Sequence, residues 1–298
     1  MIDLDRLRIF KAVAEARSFT RAADLVHLTQ PGISKHVRQM EEYYGVPLFD
    51  RLGRTVALTQ SGEILFEATQ EVMALVRAAE QKIQDMSGMR AGKLHLGASF
   101  PIGVYILPLV LAAYRKSYPA VEVQLEIATS EKTEAKVLAN RLDVGLVTNF
   151  ARHTKLSARQ FMSDGLVVIV SANHRWSARS RIKARELLEE TFIFAARGAG
   201  VRAIVEARLR AKGIVLENVL DFVNSEGVKH AVEAGLGISI QPKSIVQQEL
   251  STGSLRALQL ADLDASFGYF YLCRKNRHVS SAAKAFLALL PKTPVAAG

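Results

Sequence analysis

Cysteine is almost absent from this 298-residue sequence: Cys273 stands alone, so the chain closes no internal disulfide and offers no multi-cysteine metal site. That usage fits a reducing cytoplasm. Long apolar runs are missing as well, and none approaches the roughly 20 residues that a membrane span requires. The opening "MIDLDRLRIF" carries Asp3 and Asp5 and no extended apolar stretch, unlike a signal peptide. No membrane partner is expected. The seven histidines (His27, His36, His95, His153, His174, His230 and His278) are scattered without metal-ligand spacing. There is no P-loop, and the glycines of "ARGAGVRAIVEARL" lack the full dinucleotide-binding spacing. No serine sits in a nucleophile elbow, and Cys273 lies in the apolar run "FGYFYLCR", the setting of a buried, inert thiol. Catalytic residues, metal and cofactor are therefore all read as none.

What is present describes a globular protein, with 49% hydrophobic and 23% charged residues. The length exceeds one comfortable core, so two or more domains are expected. The net charge of +10 is unevenly placed: residues 152–212 hold thirteen basic and five acidic side chains, whereas residues 1–60 hold nine and seven. Nucleic-acid binding must therefore rest on a few well-placed side chains, not on bulk charge. The basic block reads as a solvated face or as a pull on acidic small molecules.

The first 60 residues are helical. "DLDRLRIFKAVAEA" gathers Leu4, Leu7, Ile9, Phe10, Val13 and Ala14 on one helix face. Ser18 is an N-cap for a second short helix, "FTRAADLVHL", and Thr29 caps a third, "TQPGISKHVRQMEEYYG", with Pro31 in its first turn. Two short helices across a tight turn are a helix-turn-helix signature. At 100° per residue Ile33, Val37, Met40 and Tyr44 form an inward stripe, while Pro31, Ser34, Lys35 and Arg38 face the other way. Such a flank can lie in a major groove, with Gln30 on an adenine edge and the hydroxyl and cations on phosphates or guanine. A solvated surface helix is the plainer reading of the same pattern. "VPLFDRLGRTVALTQSG" follows as two short extended pieces around Gly53, a wing able to reach the neighbouring DNA. Ser18 and Thr20, together with Arg51, Arg54 and Thr55 in the wing, complete the candidate DNA contacts.

"SFTRAADLVHLTQPGISKHVRQMEEYYGVPLFDR" followed by "LTQSGE" resembles the winged helix-turn-helix of the LysR-type transcriptional regulators. The matching positions include Ser18, Phe19, Ala22, Ala23, Gln30, Pro31, Ser34, Glu41, Gly45, Leu48, Phe49, Arg51, Leu58, Thr59 and Gly62. Gly32 and Tyr44 depart from the usual alanine and leucine. The resemblance implies a DNA-binding regulator acting on an interrupted dyad as a homodimer or homotetramer, with RNA polymerase as a further candidate partner. From about 60 to 88 a single helix carries Leu65, Val72, Ala79 and Met86 at sevenfold spacing, with Val76 and Ile83 between them. That is a short coiled-coil seam, and the resemblance makes it the dimerising linker. Packing onto its own domain is the alternative. "MSGMRAGK" then supplies a hinge through Gly92.

The rest alternates strands and helices. "KLHLGAS", "VEVQLEIA" and "DVGLVT" are strands of a βαβαβ order, and the alternation restarts near 164 with "GLVVIVS", "TFIFAA", "VLDFVN" and "GISIQ" before "FGYFYLCR" returns. The whole reads as an α+β multidomain protein. Residues 1–59 form the winged helix-turn-helix, 60–91 the long linker helix and hinge, and 92–298 a two-lobed α/β effector domain that is periplasmic-binding-protein-like. Lobe I is placed at about 92–163 and 268–298, lobe II at about 164–267.

Ligands of open α/β sheets bind beyond the carboxyl ends of strands, at helix N-termini. That rule selects "ASFPIG" (Ser99, Phe100, Pro101, Ile102), "ATSE" (Thr129, Ser130), "VTNF" (Thr148, Asn149), "ARGAGVR" (Arg197, Gly198, Val201, Arg202) and "NSEG" (Ser225, Glu226). Hydroxyls, free amides and an arginine suit a small anion such as a carboxylate, phosphate or sulfur oxyanion. Each of these serines and threonines also fits the role of a plain helix cap. "GASFPIGVYILP" is most similar to the branch of the family that regulates carbon fixation and sulfur or cysteine metabolism, although Phe100 and Pro101 replace the polar pair common there. The competing reading of the chain is a small-molecule-binding protein or α/β enzyme with an N-terminal protein-contact module.

Overall fold

The computed structural model describes residues 2–52, 55–86, 92–275 and 277–291, with the backbone alone at 51–52, 55, 81–82 and 84–86. The chain divides into two compact units, one of residues 1–83 with 139–141 and the other of residues 84–138 with 142–298.

In the first unit the helices start where polar caps satisfy their open amides. Asp3 accepts from the Arg6 amide (2.8 Å) to begin α1 (Leu4–Ala16), Ser18 from Arg21 (3.3 Å) to begin α2 (Phe19–Val26), and Thr29 from Gly32 (3.3 Å) to begin α3 (Gln30–Tyr44). Caps of this kind contribute about 1 kcal/mol each. The inner faces meet in one core, where Phe10, Val13, Ala22, Ile33, Val37 and Met40 are fully buried. Each large apolar side chain so buried stabilises by about 1.5–3 kcal/mol. Tyr44 does not join them: it is 42% exposed, because the chain turns away at Gly45 and Leu48 and Phe49 complete the core instead. The Phe49 ring lies 5.2 Å from that of Phe10 and 5.8 Å from that of Phe19. Leu4, expected on the same inner face, is also exposed.

The wing is β1 (Phe49–Leu52) paired antiparallel with β2 (Thr55–Leu58). Glu41 of α3 anchors it by accepting the amides of Leu48 (2.9 Å) and Phe49 (3.3 Å). At the other side of the wing Thr59 donates to the Pro47 carbonyl (2.8 Å) and accepts from the Gly62 amide (3.0 Å), opening α4 (Gln60–Met86). A Cβ on Gly62 would sit 2.1 Å from the Leu48 carbonyl oxygen, a backbone atom that cannot step aside alone. Gly62→Ala is therefore expected to destabilise this unit by about 1–3 kcal/mol, read as a lowered denaturant midpoint; an unchanged midpoint would show that wing and linker helix are not tightly joined.

The seam expected on α4 is rotated in the structure. Leu65 is half-buried against the helix-turn-helix core and Val76 is half-buried, while Ile64, Ala68, Val72, Leu75, Ala79 and Ile83 form an exposed apolar line with spacings of three and four. Val72, Ala79 and Ile83 are common to both sets. The Met86 side chain and the hinge residues 87–91 lie outside the described residues.

The second unit is built on an eight-stranded sheet whose main path runs β4 (Val121–Ala128), β3 (Gly92–Ser99), β5 (Val144–Val147), β12 (Ser266–Arg274), β6 (Leu156–Ser171), β11 (Leu255–Leu260) and β7 (Arg181–Ile182). β3 is parallel to β4 and β5, and β12 runs antiparallel to β5 and β6. β10 (Ser239–Pro242) pairs antiparallel with the far end of β6, and β8 (Phe192–Ala195) with β9 (Val219–Phe222) makes a separate parallel pair. Strand β6 thus begins eight residues before the expected restart at 164 and passes from one lobe to the other beside β12. Its first half, "LSARQFMSDG", buries only Leu156 and Phe161 and gives no apolar run to read. β11 and β7 were not expected; "LRALQL" buries Leu255, Leu258 and Leu260 on a pattern interrupted by polar residues.

Helices flank the sheet at the strand ends. A π-turn (Ile102–Ile106) leads into α5 (Leu107–Ser117), followed in order by α6 (Ser130–Leu138), α7 (Gly200–Ala211), α8 (Ser225–Glu233), α9 (Gln247–Thr252) and α10 (Ser281–Ala288). Among the described residues no helix is long and apolar enough to cross a membrane.

Candidate functional site

The polar side of α3 is open. Gln30, Pro31, Lys35 and Arg38 are exposed, Ser34 is half-buried, and Thr20 is exposed at the start of α2. Gln30 Nε2 donates to Ser34 Oγ (3.1 Å), which steadies the glutamine amide at the helix start. Arg38 pairs with Glu42 (3.0 Å), with 78% of its side chain exposed, so the ion pair is weak and the guanidinium free to exchange partners. Ser18 is half-buried and its hydroxyl already caps α2. Arg54 lies outside the described residues, as do the side chains of Arg51 and Thr55.

In the second unit a cavity of about 460 Å³ lies between the two lobes, a volume suited to a small metabolite. Ser99 and Phe100 at the end of β3, Pro101, Thr129 and Ser130 approach from lobe I, and Val201, Arg202 and Ser225 from lobe II. α6, α7 and α8 all begin at this wall, since Ser130, Gly200 and Ser225 are both their first residues and part of the lining. Three helices starting at one wall favour an anion there, while Lys132 and Glu126 add one charge of each sign to the lining. The lobes meet closely there: a Cβ on Gly200 would lie 2.0 Å from Thr148 Oγ1 and 2.5 Å from Ser130 Oγ.

Other expected residues take structural parts. Ile102 is fully buried in the main core. Thr148 is buried behind the wall, its Oγ1 3.3 Å from Ser130 Oγ. Asn149 is exposed and accepts from the Phe150 amide (3.0 Å). Arg197 is exposed and lines a second groove on lobe II, which shares Phe194 and Arg202 with the cavity wall; Gly198 carries the left-handed turn beside it (φ +83°) and packs near Glu131. Glu226 pairs with Lys229 (3.0 Å). None of these six forms part of the cavity wall. Arg202 does, but Glu206 (2.8 Å), Asp221 (2.7 Å) and the Ala195 carbonyl (2.9 Å) hold its guanidinium. Burial works against its charge, and the two carboxylates more than offset that, holding it above the usual arginine range. Its charge is thus largely answered within its own lobe.

Two domain models decide the family. "Bacterial regulatory helix-turn-helix protein, lysR family" matches residues 4–63, and "LysR substrate binding domain" matches 87–293.

The chain belongs to the LysR family.

It is a LysR-type transcriptional regulator. The RuBisCO operon transcriptional regulator of Allochromatium vinosum is 30% identical over 285 residues, covering 96% of this chain and 94% of that protein. Full-length CbnR complexed with its target DNA matches with a TM-score of 0.69 at 22% identity, over 97% of this chain and 99% of that one. The regulatory domain of CcmR from Synechocystis PCC6803, in complex with 2-PG, matches with a TM-score of 0.62 at 24% identity, over 67% of this chain and 95% of that one. The N-terminal match leaves no place for the alternative of a protein-contact module.

Within this LysR-type effector domain, reading by sequence missed Gln241, Lys132 and Gly200 in the cavity wall. Gln241 lies at the carboxyl end of β10, so the strand-end rule reached it in principle, but an uncharged amide carries a weaker signal than a hydroxyl at a helix start or an arginine. Cys273 is buried, and desolvation pushes its thiol up to about 11, well away from the reactive thiolate.

Proposed function

We propose that α3 reads base edges in the major groove while the interlobe cavity binds a small anionic metabolite that alters how the protein engages its promoter. The exposed Gln30, Lys35 and Arg38, set on a helix whose opposite face buries Ile33, Val37 and Met40, carry the DNA half of this reading. Three converging helix N-termini carry the anion half. The 2-PG complex of the CcmR domain supports it from a relative's side.

The domains divide as 1–59 for DNA, 60–91 for pairing and 92–298 for the effector, and the protein works in the cytoplasm by binding, not by catalysis. Effector affinity that differs between an open and a closed cleft supplies the coupling. Footprinting of the gene's own upstream region tests the whole reading. Two protected half-sites about one or more helical turns apart are expected, with the pattern shifting when an anion of the right kind is added; a footprint indifferent to every anion offered would reject the regulatory half.

The exposed line on α4 is the pairing surface in this reading, since an isolated apolar stripe that long is costly in water. Leu75 is 71% and Ile83 68% exposed. Leu75→Glu should leave each unit folded but convert dimers to monomers in sedimentation velocity, because a charge in a two-helix seam meets its own copy. Unchanged sedimentation would place the pairing elsewhere.

A further inference from the structure

Resting on the anion reading of the cavity, we infer that the effector also carries a hydrogen-bond donor, a hydroxyl or an ammonium, and that Gln241 selects for it. Gln241 lines the cavity from lobe II and is 3% exposed. Its orientation follows from the proton inventory around it. Ser239, fully buried, spends its one hydroxyl proton on the Ile193 carbonyl at 2.7 Å. Toward Gln241 the serine oxygen can then only accept, and it does so from Nε2 at 3.0 Å. The amide is thereby locked with Oε1 turned the other way, as an acceptor.

That Oε1 is buried and takes no hydrogen bond from any described residue. The hydroxyl of Ser99, another lining residue, 2% exposed at the end of β3, is likewise buried without a described partner. Buried polar atoms are almost always paired, so two unpaired ones on residues that line one cavity mark where a ligand completes the set. The serine can give or take a proton. At Oε1 the glutamine can only take one, and there it meets an anion's lone pairs with its own. A plain oxyanion therefore satisfies the helix amides and leaves Oε1 unpaired, whereas an anion with a donor satisfies both lobes at once. Because the acceptor belongs to lobe II and the α6 amides to lobe I, the donor also rewards closure of the cleft.

The test uses two matched trios on the full-length protein: propionate, lactate and alanine, and 3-phosphooxypropionate, 3-phosphoglycerate and O-phosphoserine. Within each trio the C2 substituent is hydrogen, hydroxyl or ammonium and the anionic groups are the same. Calorimetric titration of the wild type should favour a donor-bearing member about tenfold over the C2-hydrogen member, the size expected when a buried acceptor is left unpaired. The trio member preferred tells hydroxyl from ammonium. In Gln241→Met, which keeps the volume and removes the acceptor, the preference should shrink to within about twofold. Equal binding of all members by the wild type, or a preference that survives in Gln241→Met, overturns the inference and leaves the anion reading standing. Binding of no member, with inorganic phosphate and sulfate equally inert, overturns the anion reading and the inference with it.

Discussion

Alanine at Gln30 is expected to cost about 1–3 kcal/mol of discrimination at one base pair of each half-site, the usual worth of a bidentate side-chain contact to a base edge. Alanine at Arg38 should behave differently, weakening binding to all duplexes alike and reducing the slope of log affinity against log salt by about one for each phosphate it no longer neutralises. The difference in kind follows from the structure. Gln30 is held at the helix start by Ser34, whereas Arg38 sits in an exposed ion pair with Glu42. Both residues are exposed, so circular dichroism and the melting temperature should stay as in the wild type. Competition gel shifts against single-base operator variants would separate the two effects. If both substitutions weakened binding equally on every sequence, α3 would be a phosphate-binding helix and the specific contacts would have to be sought elsewhere.

Gly200→Ala is the second substitution with a large expected effect. Its new methyl group would meet Thr148 Oγ1 at 2.0 Å, Ser130 Oγ at 2.5 Å and the Asn149 amide nitrogen at 3.0 Å. Thr148 and Ser130 are buried and bonded to each other, so rotating one away breaks a pair inside the wall. The easier response is for the lobes to part. Effector affinity should fall at least about tenfold, because the closed state that binds it becomes the minor one. Operator binding without effector should persist, since the helix-turn-helix is untouched. Gly165→Ala is the control: among the described residues no atom comes within 4 Å of a Cβ built there, so neither affinity nor stability should move appreciably. Wild-type effector affinity in Gly200→Ala would mean that ligand binds without closing the cleft.

Much of the N-terminal unit is legible in the sequence because local chemistry specifies it. Ser18, Thr29 and Pro31 announce helix starts, and the spacing of Ile33, Val37 and Met40 announces a buried face. Tyr44 fits the same spacing and is nonetheless exposed, since periodicity knows nothing of where the neighbouring chain runs out. The rotation of the α4 stripe has a related cause. Leu65 answers a heptad as well as Ile64 does, and the packing of the helix-turn-helix against the first turns of α4 is what turns Leu65 inward. In the effector domain, strand ends placed eight of the fourteen named residues, from Ser99 to Ser225, in the cavity wall. Charge was the misleading signal there: Arg197 is exposed outside the cavity and Arg202 is answered by Glu206 and Asp221. The informative residue, Gln241, is uncharged, and only the bond from Ser239 to Ile193 reveals which of its atoms is on offer.

The central claim is that paired copies of α3 read two half-sites, and fluorescence anisotropy on the gene's own upstream duplex tests it most directly. Tight binding that falls steeply with salt is expected, and scrambling either half-site alone should weaken it by about 1–3 kcal/mol for each base pair changed. Binding that ignores the scrambling of a half-site, or no binding at any salt concentration, would contradict it.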